Sequence, residues 1–163
     1  MNHLIRQATT DDVALVSSIL TEAAAWLKEL GKPLWRTEDI TPEQIAKEVD
    51  LFFIAYVGDQ VAGTLKFQTE DKLFWPDIPD NNSAYVHRVA VRRYFAGQGV
   101  STIMLSWAVN RARSLGKQFL RLDCEATRLR LRKIYEDFGF IYTSDKQMGP
   151  YLAARYEYKI NPI

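Results

Sequence analysis

The chain has 163 residues and a formal net charge of +1 with histidine neutral; 47% hydrophobic against 25% charged residues is the profile of a folded domain, not of a disordered or fibrous chain. The near-neutral balance gives no electrostatic footprint for nucleic acid, and no apolar run approaches the ~20 residues that span a bilayer, so neither nucleic acid nor a membrane is expected as a partner. The single cysteine, Cys124, cannot form an intrachain disulfide, and the start MNHLIRQATTDD lacks the apolar stretch of a secretory signal, so a cytoplasmic protein is expected.

With no repeat, low-complexity tract or linker, residues 1–163 are expected to form a single domain. HLIRQA predicts a short strand. TTDDVALVSSILTEAAAWLKELG predicts a helix opened by Thr or Asp and closed before Gly31, with Val13, Val16, Leu20, Ala24 and Leu27 along one stripe. KPLWRTEDI is a loop. Thr41-Pro42-Glu43-Gln44 combines a capping box with proline at the first helical position and predicts a second helix over residues 42 to 49. In LFFIAYVGDQVAGTLKFQ, Gly58-Asp59 separates two β-rich runs, the pattern of an antiparallel hairpin. TEDKLFWPDIPDNNS is too rich in Pro, Asp and Asn to be regular and makes a long excursion before the strand AYVHRVAV.

After RRYFAGQG, the residues Val100, Ile103, Met104, Trp107, Ala108 and Leu115 mark a helix that Gly116 closes. KQFLRLDC alternates as a strand with Leu120, Leu122 and Cys124 on one face. LRLRKIYEDFG predicts a helix on Leu131, Ile134 and Phe138 with Gly139 as its cap, and FIYTSD and AARYEYKI close the chain as strands. This order of elements implies a mixed α/β (α+β) fold, a central sheet with helices on both faces.

Gly97 and Gly99 stand where a strand hands over to a helix, and two readings stay open there. The free N–H groups and positive dipole end of a helix N-terminus attract anions, and glycine lets a phosphate approach the backbone. Equally, glycine serves a plain strand-to-helix turn. The dinucleotide fingerprint is excluded because Thr102 stands where its third glycine belongs, and the P-loop is excluded because no Gly-Lys-Ser/Thr follows.

The strand VHRVAV, the loop AGQGVS, a long helix, another strand and a helix ending IYEDFGF together resemble the GNAT superfamily of acyl-CoA-dependent N-acetyltransferases. The family's loop reads Gln/Arg-x-x-Gly-x-Gly/Ala. Gly99 keeps its central glycine, while Ala96 and Ser101 depart from its outer positions; Arg128 stands where the family often has Asn. The resemblance implies a mostly antiparallel sheet of about seven strands and acetyl-CoA as co-substrate, without a metal. It implies that backbone N–H groups from Gly97 through Gln98, Gly99, Val100 and Ser101 to Thr102 hold the pyrophosphate, that Val89 and Val91 hydrogen-bond the pantetheine through their backbone, and that Arg128 reaches a cofactor phosphate. Dimerisation is common among such folds, so a homodimer is implied by analogy.

Acetyl transfer from a thioester to an amine needs a neutral amine, a held carbonyl and a proton for the departing thiolate. A phenol stays protonated at neutral pH, so Tyr135, at the family's Tyr-Glu-x-x-Gly-Phe position, is the candidate acid; its other reading is a core aromatic four residues after Leu131. By alternation Tyr85, His87, Val89 and Val91 share a strand face, and the resemblance, which puts the family's base upstream on that face, implies Tyr85 and His87 as candidates for it. Histidine changes charge near neutral pH and can accept a proton directly or through water, although a lone histidine in a strand also serves structure.

Cys124 suggests a covalent acyl intermediate, but its register with Leu120 and Leu122 makes it a buried, inert thiol, and direct transfer is expected. Two histidines and one cysteine dispersed along the chain have no ligand spacing, so no metal site is expected. Trp26 and Trp35 around GKPLW, and Phe74 and Trp75 in LFWPD, either line an acceptor pocket or plug the core. Glu38, Asp39, Glu70, Asp71 and Asp77 either attract a cationic amine or are simply solvated. The expected activity is acetyl transfer to an amine of a small molecule; a non-catalytic acyl-CoA-binding module of the same fold is the alternative.

Overall fold

The computed structural model describes residues 2–78 and 81–162. Backbone contacts group the chain into two units, Met1–Phe67 with Arg88–Leu105 and Gln68–His87 with Ser106–Ile163. Seven strands form one sheet in the order β1-β2-β3-β4-β5-β7-β6.

In the first unit β1 (His3–Gln7) pairs antiparallel with β2 (Phe52–Val57), which turns at Gly58 (φ +62°) into β3 (Gln60–Gln68). Between β1 and β2 lie α1 (Val13–Glu29) and α2 (Pro42–Ala46). The entry to α1 is fixed by a reciprocal cap: the Thr9 side chain accepts from the Asp11 N–H, and Asp12 accepts from the Thr9 N–H at 2.8 Å. Asp12 also takes two hydrogen bonds from Arg6, at 2.8 and 2.9 Å, which hold its carboxyl far below the usual carboxylate range.

The buried face of α1 is Val16, Ile19, Leu20 and Ala23, packed with Ile40, Ile45, Val49, Phe52 and Ile54. The expected stripe is therefore displaced: Ile19 and Ala23 join it, while Val13 and Ala24 only border it. The second helix is shorter than expected. After Ala46 the N–H groups of Lys47 and Glu48 reach back only three residues, to Gln44 and Ile45 (3.3 and 3.1 Å), and this tightening carries Val49 into the core within a separate turn, Val49–Leu51.

β4 (Ser83–Val91), whose residues up to His87 belong to the second unit, begins parallel to β5 (Phe119–Glu125). β7 (Tyr151–Lys159) pairs antiparallel with both β5 and β6 (Ile141–Met148). The β4–β5 register runs from Ser83↔Phe119 to Tyr85↔Arg121, so His87 and Asp123 lie beyond its last rung. α3 (Val100–Ser114) and α4 (Leu129–Phe138) flank β5 in sequence, and Gly116 (φ +73°) and Gly139 (φ +124°) follow their ends as expected. The chain is thus the expected mixed α/β fold with a mostly antiparallel seven-stranded sheet. No helix among the described residues is long and apolar enough to cross a membrane.

Candidate active site

Between β4 and α3 a short helical turn, Arg93–Phe95, anchors the loop by burying Phe95. Gly97 (φ +76°) and Gly99 (φ +82°) both adopt the left-handed backbone conformation that other residues take only with strain. The first backbone bond of α3 runs from the Ile103 N–H to the Gly99 carbonyl at 3.1 Å. The N–H groups of Val100, Ser101 and Thr102 therefore belong to the set a helix cannot satisfy internally. Val100 is itself buried, so it offers a ligand only its backbone, while Gly97, Gln98 and Gly99 are exposed. Gln98 donates its side-chain amide to the Tyr94 carbonyl at 2.9 Å.

The tryptophans differ from one another. Trp26 is in α1, not in a loop, and stacks under the Arg93 guanidinium at 5.4 Å. Trp35, in a loop, borders the first unit's core and stacks under Arg88 at 5.5 Å. Trp75 is 3% exposed, with Arg155 at 4.6 Å and Arg121 at 5.4 Å from its ring centroid; it fills the second unit, and its indole Nε1 is buried without a hydrogen-bond partner among the described residues.

Strict alternation along β4 fails at Arg88, whose φ of +54° is rare for a residue with a side chain. A left-handed residue breaks the pleat, so Val89 and Val91, both half-buried, are not placed on the face of Tyr85 and His87 by counting alone. Before the break the register holds: Tyr85, opposite Arg121, is buried with its ring 6.2 Å from Trp75.

His87 belongs to a buried cluster that the sequence does not announce. Its Nε2 lies 2.7 Å from Asp71 Oδ2 and its Nδ1 3.6 Å from Asp123 Oδ1, with Phe74 5.6 Å from the ring. The expectation of no metal-type cluster is corrected to this extent: Asp71, His87 and Asp123 bring ligand atoms within 4.8 Å of one another. Two carboxylates supply what cysteine and a second histidine do not. Burial alone would raise Asp71, but hydrogen bonds from His87 and the N–H groups of Phe74 and Leu73 outweigh it and hold the carboxyl below the usual range. Asp123 Oδ1 has no hydrogen-bond donor among the described residues, and burial pushes the carboxyl up to about 6. The excursion that carries Asp71 is tied down by Arg155, which donates to the Phe74 carbonyl at 3.1 Å and to Asp77 at 2.7 and 3.1 Å. The available signal was alternation in β5, which places Asp123 opposite Leu120, Leu122 and Cys124; Asp71 gave none beyond its charge.

Tyr135 is 8% exposed and packs its ring 6.0 Å from Phe140 and 6.3 Å from Tyr156. Burial, reinforced by Cys124 and Asp123, raises its phenol above the ordinary range, so it is protonated at neutral pH. The apolar stripe expected on Ile134 is corrected: Ile134 is exposed, and Tyr135, four after Leu131 and three before Phe138, is the buried residue. Burial also pushes the Cys124 thiol up to about 12. Arg128, at the start of α4, lies 3.7 Å from Glu125 with its side chain 12% exposed.

The acetyltransferase (GNAT) family model matches residues 17–140. The chain belongs to the GNAT acetyltransferase family. It is 28% identical over 153 residues to YesJ of Bacillus subtilis (strain 168), described as an uncharacterized N-acetyltransferase, across 89% of this chain and 85% of that protein. A GNAT-family acetyltransferase from Listeria monocytogenes 4b F2365 superposes with a TM-score of 0.80 at 24% identity, covering 96% of this chain and 94% of that one. The putative acetyltransferase yncA from Salmonella typhimurium, solved with acetyl-CoA, superposes with a TM-score of 0.73 at 17% identity, covering 100% and 96%. These likenesses agree with the GNAT fold built above.

Proposed function

We propose that this GNAT protein transfers the acetyl group of acetyl-CoA directly to a primary amine of a small molecule. The observation that carries the reading is the loop itself, in which two left-handed glycines lead into a helix whose first N–H groups precede its first internal hydrogen bond. Acetyl-CoA as co-substrate follows from membership of the family and from the acetyl-CoA held by the Salmonella protein. The backbone N–H groups of Gly97 and of Gly99 to Thr102 receive the pyrophosphate, whose charge the helix dipole favours, while the Gln98 N–H is held by the Phe95 carbonyl at 3.2 Å. Ala96 and Ser101 are compatible with this role because a backbone cradle asks little of side chains.

In the reaction the neutral amine nitrogen attacks the thioester carbonyl carbon, the C–S bond breaks, and the thiolate takes a proton. An alkylammonium and acetyl-CoA thus give an N-acetyl amine, free CoA and one proton for the solvent. Tyr135 is the proton donor to sulfur, a role supported by its raised, protonated phenol. His87 is the base, supported by its buried carboxylate partner. A Cys124 acyl intermediate is disfavoured by a thiol pushed up to about 12. The test is thiol release from acetyl-CoA with a panel of small primary amines: release above the rate without amine is expected for at least one, and silence with all of them contradicts the reading.

A further inference from the structure

Asp71, His87 and Asp123 converge from the excursion, β4 and β5, and all three belong to the second unit. Their side chains are 3%, 16% and 5% exposed, so two carboxylates share one buried site with a single imidazole. Asp71 is set in place by its other oxygen: Oδ1 accepts from the Phe74 N–H at 3.0 Å, which leaves Oδ2 beside His87 Nε2 at 2.7 Å. Asp123 Oδ1 is buried without a hydrogen-bond partner among the described residues and lies 3.6 Å from His87 Nδ1. A proton does not resolve this. Even a doubly protonated imidazole would satisfy Asp71 and leave Asp123 Oδ1 beyond hydrogen-bond reach, and a buried acceptor left unpaired is unfavourable.

A cation does resolve it. One nitrogen of His87 and one oxygen each of Asp71 and Asp123 lie within 4.8 Å of one another. Three atoms that close all fit within about 2.8 Å of a common point, so drawing each in by less than ~1 Å reaches zinc–ligand bonds of about 2.0–2.2 Å. The charges also balance: a neutral imidazole, two carboxylates and a divalent ion sum to zero in the interior, where an uncompensated charge is unfavourable. Three protein ligands with a further position left to solvent is the arrangement of an open zinc site. The imidazole selects zinc or a neighbouring transition ion over magnesium and calcium, which take oxygen ligands.

We propose that Asp71, His87 and Asp123 bind one divalent transition ion of the zinc class, and that the bound ion inhibits acetyl transfer. The site stands on the three side chains alone; the inhibition rests on the N-acetyltransferase reading, in which His87 accepts a proton. Zinc coordinates a neutral imidazole through the lone pair of one ring nitrogen, while the other nitrogen keeps its hydrogen. That lone pair is the one a base needs, so it serves either the ion or the proton. Removing the ion returns the base, and the cluster then acts as a metal-operated switch on the reaction.

The test uses the intact chain freed of metal with a chelator, zinc chloride as the probe and magnesium chloride as the control. The protein contains two histidines, so a His3→Gln variant leaves His87 alone in ring-nitrogen NMR. Zinc should shift the His87 ring nitrogens in both the wild type and His3→Gln, with one zinc retained per chain after dialysis, while magnesium at the same concentration shifts nothing. Asp71→Asn and Asp123→Asn keep the side-chain volume and should each weaken zinc at least ~10-fold, since even a residue that only supports a metal ligand is worth that much. The wild-type NMR decides by itself if either variant fails to fold. With an amine that is acetylated, zinc should stop N-acetyl product formation, followed by mass spectrometry because the free CoA thiol itself binds zinc. A chelator should restore the reaction, and Asp123→Asn should need at least ~10-fold more zinc for the same loss. Inactivity toward every amine would sink the N-acetyltransferase reading and leave the binding arm to decide the site. Zinc that leaves the His87 ring unshifted, binds every variant equally or yields to equimolar magnesium would overturn the site; zinc bound at His87 with undiminished product formation would overturn the inhibition.

Discussion

At the scale of single residues, Asp123 and Tyr135 are each defined by burial, with opposite consequences. For Tyr135 burial secures the proton that the proposed chemistry uses; Tyr135→Phe removes only the hydroxyl and should lower turnover at least ~10-fold with the fold intact, as measured by thiol release and melting temperature. An unchanged rate would return Tyr135 to the core-aromatic reading. For Asp123 burial raises the carboxyl from the ordinary 3.8 to about 6. The folded protein therefore holds that proton more tightly than the unfolded chain, and stability falls as pH rises through that window. At about 1.4 kcal/mol per pH unit, ionised Asp123 costs on the order of 3 kcal/mol above pH 6 and nothing below the ordinary value. Asp123→Asn should raise the melting temperature by several degrees at pH 7.5, with the gain shrinking toward pH 4; a constant or negative difference would contradict this account.

At the scale of elements, most of the fold was legible because periodicity reports burial directly. The Gly58-Asp59 hairpin, the strand KQFLRLDC and the helix beginning at Val100 all stand where alternation and capping put them. What escaped was set by tertiary contact. The left-handed Arg88 in β4 has no sequence signal, and it undoes the alternation on which the placement of Val89 and Val91 depended. The shortened α2 depends on Val49 being drawn into the core. Gly63 in β3 shows the same dependence: a Cβ there would lie 2.6 Å from the Ala90 carbonyl oxygen of β4 and 3.2 Å from Met104 of α3. The Met104 side chain can yield, but the backbone oxygen cannot do so without moving β4. Gly63→Ala should destabilise by roughly 1–3 kcal/mol, read as a lowered denaturation midpoint at unchanged slope; a neutral substitution would show that the strands separate more easily than their packing implies.

At the scale of the whole molecule, the family was legible because the resemblance is carried by residues close together in sequence, from VHRVAV through AGQGVS to IYEDFGF. The cluster around His87 was not, because its members come from an irregular excursion and two different strands, and no spacing relates Asp71, His87 and Asp123. The two readings of the aromatic residues separate on burial: Trp75 is packing, while Trp35 remains half-buried beside Arg88. The central claim is direct acetyl transfer to a primary amine. It is tested most directly by mass spectrometry of a reaction containing carbon-labelled acetyl-CoA and an amine accepted in the thiol assay. One labelled N-acetyl amine should form per thiol released, with no labelled acetyl on the protein at any time. Thiol release without acetylated amine, or label accumulating on Cys124 before product appears, would contradict the account.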